Sequence, residues 1–167
     1  MNNWTWEEGS VLYSDSPYIA PKDIFQAVCN ELGRYYTQKG AKYTKSNRRL
    51  KWQGEKLRCE MGLWSSHSNI PGKYVNLEIV TSSYAIDARD MERKGILNFS
   101  VKPKNFNVYQ IDYELFEEII QFIDDTLVTI WTYETKEGID DFYAQKNEKE
   151  LEFINGNPNN KIYYNRL

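Results

Sequence analysis

A single histidine, His67, and two cysteines, Cys29 and Cys59, are all the imidazole and thiolate ligands these 167 residues contain. Zinc centres need clustered Cys and His at short spacing, so this supply predicts no metal site of that kind. No EF-hand loop is present, and Gly62 and Gly72 match neither a phosphate-cradling P-loop nor a dinucleotide fingerprint. The longest apolar runs fall far short of a bilayer span. The opening Met1-Asn2-Asn3-Trp4-Thr5-Trp6-Glu7-Glu8 is polar and acidic, unlike a signal peptide. These absences predict a cytoplasmic protein without a cofactor or a membrane partner. Two free thiols are the plain reading in a reducing compartment, with a single bridge left open.

Hydrophobic residues make up 41% and charged residues 27%, the balance of an ordinary globular chain rather than a disordered one. The length fits one domain, 1–167, and neither a repeat nor a long linker divides it. Tyrosine and tryptophan are plentiful, at 13 and 5 residues. Their apolar bodies and polar tips suit half-exposed sheet faces and binding surfaces alike.

Periodicity orders the elements. Residues 1–20 read as an irregular arm, with a short strand near Val11-Leu12-Tyr13. A helix starts near Pro21, because proline is tolerated in a first helical turn, and Gly40 stops it. Ile24, Val28, Leu32 and Tyr35 recur at helical spacing within it. The period then changes to two. Leu50 and Trp52 alternate with Arg49 and Lys51, and Leu57, Cys59, Met61 and Leu63 alternate with polar neighbours. Val75, Leu77 and Ile79 continue the pattern, as do Leu97, Phe99 and Val101 up to Pro103. A charged connection through 87–90 reads as a short helix.

Asp112 caps a second, long helix with Glu114 in its first turn and Ile111 placed to staple onto Phe116. Phe116, Ile119, Ile120, Ile123, Leu127, Ile130 and Trp131 form its apolar stripe. A further short helix is expected over 139–150 and a terminal hairpin over 151–167. The expected fold is α+β: an antiparallel meander sheet with an N-terminal helix and a long C-terminal helix packed on it.

Candidate chemistry is sparse. His67 lies in Ser65-Ser66-His67-Ser68, but sequence neighbours in a turn seldom reach Ser–His geometry, and no Gly-x-Ser-x-Gly elbow occurs. Asp140-Asp141 reads as a solvated face. Glu60 and Glu78 lie on strands that are candidates for neighbours and so for carboxylate-pair chemistry. Cross-strand pairing with Lys56, Arg58 or Lys73 is the favoured reading of these acids. No catalytic, cofactor-binding or metal-binding residue is therefore assigned.

Charge is distributed unevenly. Between Arg34 and Arg58, nine cations face only Glu55, whereas ten acids from Asp112 to Asp141 face only Lys136. One reading places a protein partner on an acidic helix surface of Glu117, Glu118, Gln121, Asp124 and Asp125, suited to a basic target. The alternative is a nucleic-acid-binding hairpin using Arg48, Arg49, Lys51 and Trp52 through phosphate contacts and stacking. A small hydrolase-like enzyme is the third. The bland reading of both charge runs is two solvated faces that partly satisfy each other.

The stretch from about 24 to 100 combines a helix ending Lys39-Gly40-Ala41-Lys42-Tyr43 with a basic aromatic hairpin. A strand ending Trp64-Ser65-Ser66-His67-Ser68-Asn69 and the strand Tyr74-Val75-Asn76-Leu77-Glu78-Ile79 follow. This order resembles small bacterial immunity-type domains encoded beside polymorphic toxins. The resemblance implies a non-enzymatic inhibitor that binds one cognate toxin. It transfers no functional residue.

Overall fold

The computed structural model describes residues 4–86 and 102–141, together with 144 and 148. Helix α1 covers Pro21–Thr37, with Pro21 at its first position and Asp23 in its first turn. Just beyond its end Gly40 takes φ 86°, the left-handed conformation that glycine adopts without a Cβ penalty. The chain then runs up and down through β1 (Lys42–Thr44), β2 (Arg49–Gln53), β3 (Leu57–Trp64), β4 (Asn76–Ala85) and β5 (Lys104–Asn107). All four pairings are antiparallel and the spatial order is β1-β2-β3-β4-β5. Helix α2, Tyr113–Trp131, follows directly, and Asp112 caps it by accepting the Leu115 N–H at 2.8 Å.

Both helices cover the same side of the sheet. Leu50, Leu57, Cys59, Met61, Leu63, Leu77, Ile79 and Phe106 point into that side, and Ile24, Val28, Leu32, Phe116, Ile119 and Ile123 meet them in one core. At roughly 1.5–3 kcal/mol for each fully buried large apolar side chain, this layer dominates the stabilising side of folding. Gly33 lets α1 settle closely onto β1, since a Cβ there would meet the Tyr43 ring at 2.3 Å. The helices are joined by Tyr36. Its buried hydroxyl donates to the Ile120 carbonyl at 3.1 Å and lies 2.9 Å from Asp124 Oδ1, while its ring meets Trp52 edge-on. Burial, with the Asp124 carboxylate beside it, pushes the Tyr36 phenol well above its ordinary pKa.

The expected strand at Val11–Tyr13 is a 3-10 turn. The Ser10 hydroxyl accepts the Leu12 N–H and bends the backbone there. The arm is nonetheless anchored. Trp6 is buried, stacked on Tyr113 with centroids 4.6 Å apart and set edge-on to Phe116 at 5.0 Å. Glu31, 2% exposed, accepts the Glu7 N–H at 2.7 Å and binds Arg34 at 2.6 Å. Arg34 in turn bonds the Thr5 carbonyl and lies 3.9 Å from the centre of the Trp4 ring. The arm thus straps the N-terminal end of α2 to α1.

Strand β5 starts one residue after Pro103, where the sequence pattern had ended a strand. The expected strand Leu97–Val101, the short helix over 87–90 and the hairpin 151–167 lie outside the described residues. Residues 136–141 are helical, so the helix expected over 139–150 begins before Ile139. Between it and α2, Glu134 accepts the N–H groups of Lys56 and Leu57 at 3.0 and 3.1 Å and ties the β2–β3 turn to the end of α2.

Candidate binding surfaces

The side of the sheet away from the helices carries a polar array whose positions follow from register. Lys42, Lys51, Glu60 and Ser82 form one cross-strand row, and Thr44, Arg49, Gly62 and Val80 form the next. Trp64, Glu78 and Asn105 form a third. At the centre Glu60, 8% exposed, accepts from Arg49 Nη1 at 3.0 Å and lies 3.2 Å from Lys51 Nζ. One carboxylate therefore holds two cations two residues apart on β2. Cross-strand pairing was expected for this acid with Lys56, Arg58 or Lys73, and the cross-strand cations on it are Arg49 and Lys51. Both belong to the neighbouring strand, which the register places directly opposite.

Trp64 is 53% exposed. It folds back along its own strand, and its Nε1 edge occupies the space above Gly62, where a Cβ would lie 2.5 Å from that nitrogen. Any larger residue at 62 would evict the indole. Arg49 is the cross-strand partner of Gly62, the position that the indole edge covers.

The four residues of the expected nucleic-acid hairpin are divided between the two faces. Arg49 and Lys51 stand on the open face, whereas Trp52 points to the helices and packs edge-on against Tyr36. Arg48 occupies the β1–β2 turn at φ 48°, with its guanidinium 5.5 Å from the Phe25 ring centre on the helical side. The period of two already implied that Trp52, aligned with Leu50, faces away from Arg49 and Lys51. Trp64, which was not assigned, has the parity of Glu60 and Gly62, and that signal was available in the sequence.

The acidic set on α2 is divided as well. Glu118, Gln121 and Asp125 are exposed in one stripe that begins at Glu114 and ends at Val128. Glu118 pairs with Lys104 at 3.0 Å, and Gln121 donates to Asp125 at 2.8 Å. Glu117 is half-buried. Asp124 turns toward α1, where it meets the Tyr36 hydroxyl and lies 3.6 Å from Lys39 Nζ. It belongs to the joint between the helices rather than to the outer stripe. Val128, 67% exposed, ends the stripe with an apolar side chain.

The candidates for chemistry lie apart. His67 is exposed in the β3–β4 connection, while Ser66 Oγ accepts the Ser68 N–H and Ser65 Oγ accepts from Asn69 Nδ2. Both hydroxyls are engaged in shaping that turn. Glu60 sits opposite Ser82, four residues along β4 from Glu78. The two positions are therefore roughly 13 Å apart along the strand, wider than the spacing of a carboxylate pair that works on one bond. Among the described residues no three His, Cys, Asp or Glu side chains gather where they could hold a metal ion. Cys29 and Cys59 are free and buried, and burial pushes each thiol up to about 12. Among the described residues no helix is long and apolar enough to cross a membrane.

Comparison with known proteins finds no matching family model, no matching curated protein and no matching solved structure.

Proposed function

We propose that this chain is a non-enzymatic binding protein that acts by stable complex formation with another protein, in the manner of an immunity protein that neutralises a toxin. The observation that carries the reading is the outer stripe of α2. Glu114, Glu118, Gln121 and Asp125 repeat on one exposed face, and Val128 adds an apolar contact at its end. That face is not spent on the core, and its surplus of carboxylates complements a basic partner surface, such as the cleft of a nucleic-acid-cleaving enzyme. An exposed apolar residue beside a charged rim is the arrangement on which protein interfaces are centred. The order of elements between 24 and 100, similar to immunity-type domains, points the same way.

The test is co-expression with the product of the adjacent gene, followed by co-purification and a growth assay. Complex formation and restored growth are expected. The double variant Glu118→Lys with Asp125→Lys should weaken the complex by at least roughly tenfold, since close charge pairs at interfaces carry coupling energies of this order or more. Unchanged affinity in that variant would remove α2 from the interface. A neighbour that is neither bound nor neutralised would end the immunity reading.

A further inference from the structure

We propose that the open face of the sheet is a second, separate binding surface and that its ligand is single-stranded nucleic acid. Trp64 would serve as the stacking residue, and Arg49, Lys51 and Lys42 as the phosphate contacts.

Single-strand binders combine aromatic side chains, which stack on unpaired bases, with cations that follow the backbone. Both components stand together here. Trp64 is held by its Nε1 edge over Gly62 and leaves about half of its surface open, with 53% exposed. Arg49 lies opposite Gly62 across the β2–β3 pairing, Lys51 follows two residues along the same strand, and Lys42 faces Lys51 from β1. The result is a diagonal of one indole and three cations across three adjacent strands. Strand geometry sets Arg49 and Lys51 about 7 Å apart, within reach of successive phosphates on an extended strand.

Glu60 gives this row its order. By holding Arg49 and Lys51 from below, at 3.0 and 3.2 Å, it removes much of the rotamer freedom that such long side chains otherwise lose on binding. Among the described residues of this face, Lys42, Arg49 and Lys51 stand against Glu60 and Glu78, and Lys42 is not one of the cations that Glu60 holds. A duplex keeps its bases stacked on one another and offers the indole no face, so the ligand that uses every element of the row is single-stranded. This surface is distinct from the outer stripe of α2, because the helices lie on the opposite side of the sheet.

The experiment is fluorescence anisotropy of the full chain with end-labelled oligouridine and oligodeoxythymidine at low salt. Matched duplexes and a labelled polyglutamate peptide complete the set. Saturable, salt-sensitive binding of one or both single strands is expected, with RNA and DNA compared directly. Trp64→Ala should weaken it by roughly tenfold or more. Lys42→Gln, which leaves the Glu60 pairs intact, should lower the slope of log affinity against log salt by about 0.7. Glu118→Lys on the far side should leave the loss caused by Trp64→Ala unchanged. Absence of single-strand binding overturns the proposal, and so does Trp64→Ala binding as the parent does. Duplex or polyglutamate bound as tightly as the single strands also overturns it, the latter in favour of an acidic protein segment.

Discussion

Trp6→Ala isolates the contribution of the N-terminal arm. Trp6 is 5% exposed, and its ring is stacked on Tyr113 and edge-on to Phe116. Truncating a buried tryptophan to alanine costs about 3–5 kcal/mol through lost transfer energy and the cavity left behind. Each aromatic pair adds about 0.5–1.5 kcal/mol beyond burial. An irregular segment relaxes into part of the space more readily than a helix or strand, which favours the lower value, about 3 kcal/mol. The arm also delivers the Glu7 N–H to Glu31 and the Thr5 carbonyl to Arg34, so its release leaves a buried carboxylate short of one donor. For a chain of this size, 3 kcal/mol lowers Tm by roughly 6–12 °C. Urea unfolding followed by circular dichroism and by tryptophan fluorescence would measure the loss. A change below about 1 kcal/mol would show that the arm is not docked as described and would refute the reasoning.

Two further outcomes follow from buried groups. Tyr36→Phe should destabilise the fold by about 1–2 kcal/mol, because the hydroxyl that joins Ile120 to Asp124 is lost while the ring packing stays; an unchanged urea midpoint would exclude the joint. Cys29 and Cys59 carry folded pKa values of about 12, above the unfolded thiol, so their contribution is complete below about pH 8.5 and is lost as pH rises toward 12. Stability should fall over that window by about 1.4 kcal/mol per pH unit for each thiol, and the Cys29→Ala, Cys59→Ala double variant should flatten the profile. The midpoint of urea unfolding from about pH 8 to about pH 11 gives the slope directly, and an equal slope in parent and double variant would contradict the burial of both thiols.

The helices and the central strands were legible because their signals are local and repeated. Leu57, Cys59, Met61 and Leu63 all face the core from β3, as their alternation requires. Asp112 caps α2 as its position before the apolar stripe implied. Strand β5 was missed because it offers only four residues, one of them buried, and because Pro103 reads as a stop. The partners of Glu60 were missed because register across a sheet is not written within one strand. The joint at Asp124 was not legible for a similar reason. A helical pattern shows which residues avoid the core stripe, but not that a tyrosine on another helix, 88 positions away, reaches toward one of them.

The order of the strands also bears on how the two layers come together. Among the described residues each strand pairs with its neighbour in sequence, so β1–β2 and β2–β3 close over short turns at little cost in loop entropy. The seam between the helices has the opposite character, since Tyr36 must find Ile120 and Asp124 across 84 and 88 positions. Contacts of that span are rewarded only after a long loop has been closed, which assigns the sheet the role of template and the seam that of the last joint to set. Parting α1 from α2 there would bare the apolar side of the sheet, with Leu50, Met61 and Leu77 on it, while the hairpins stayed paired.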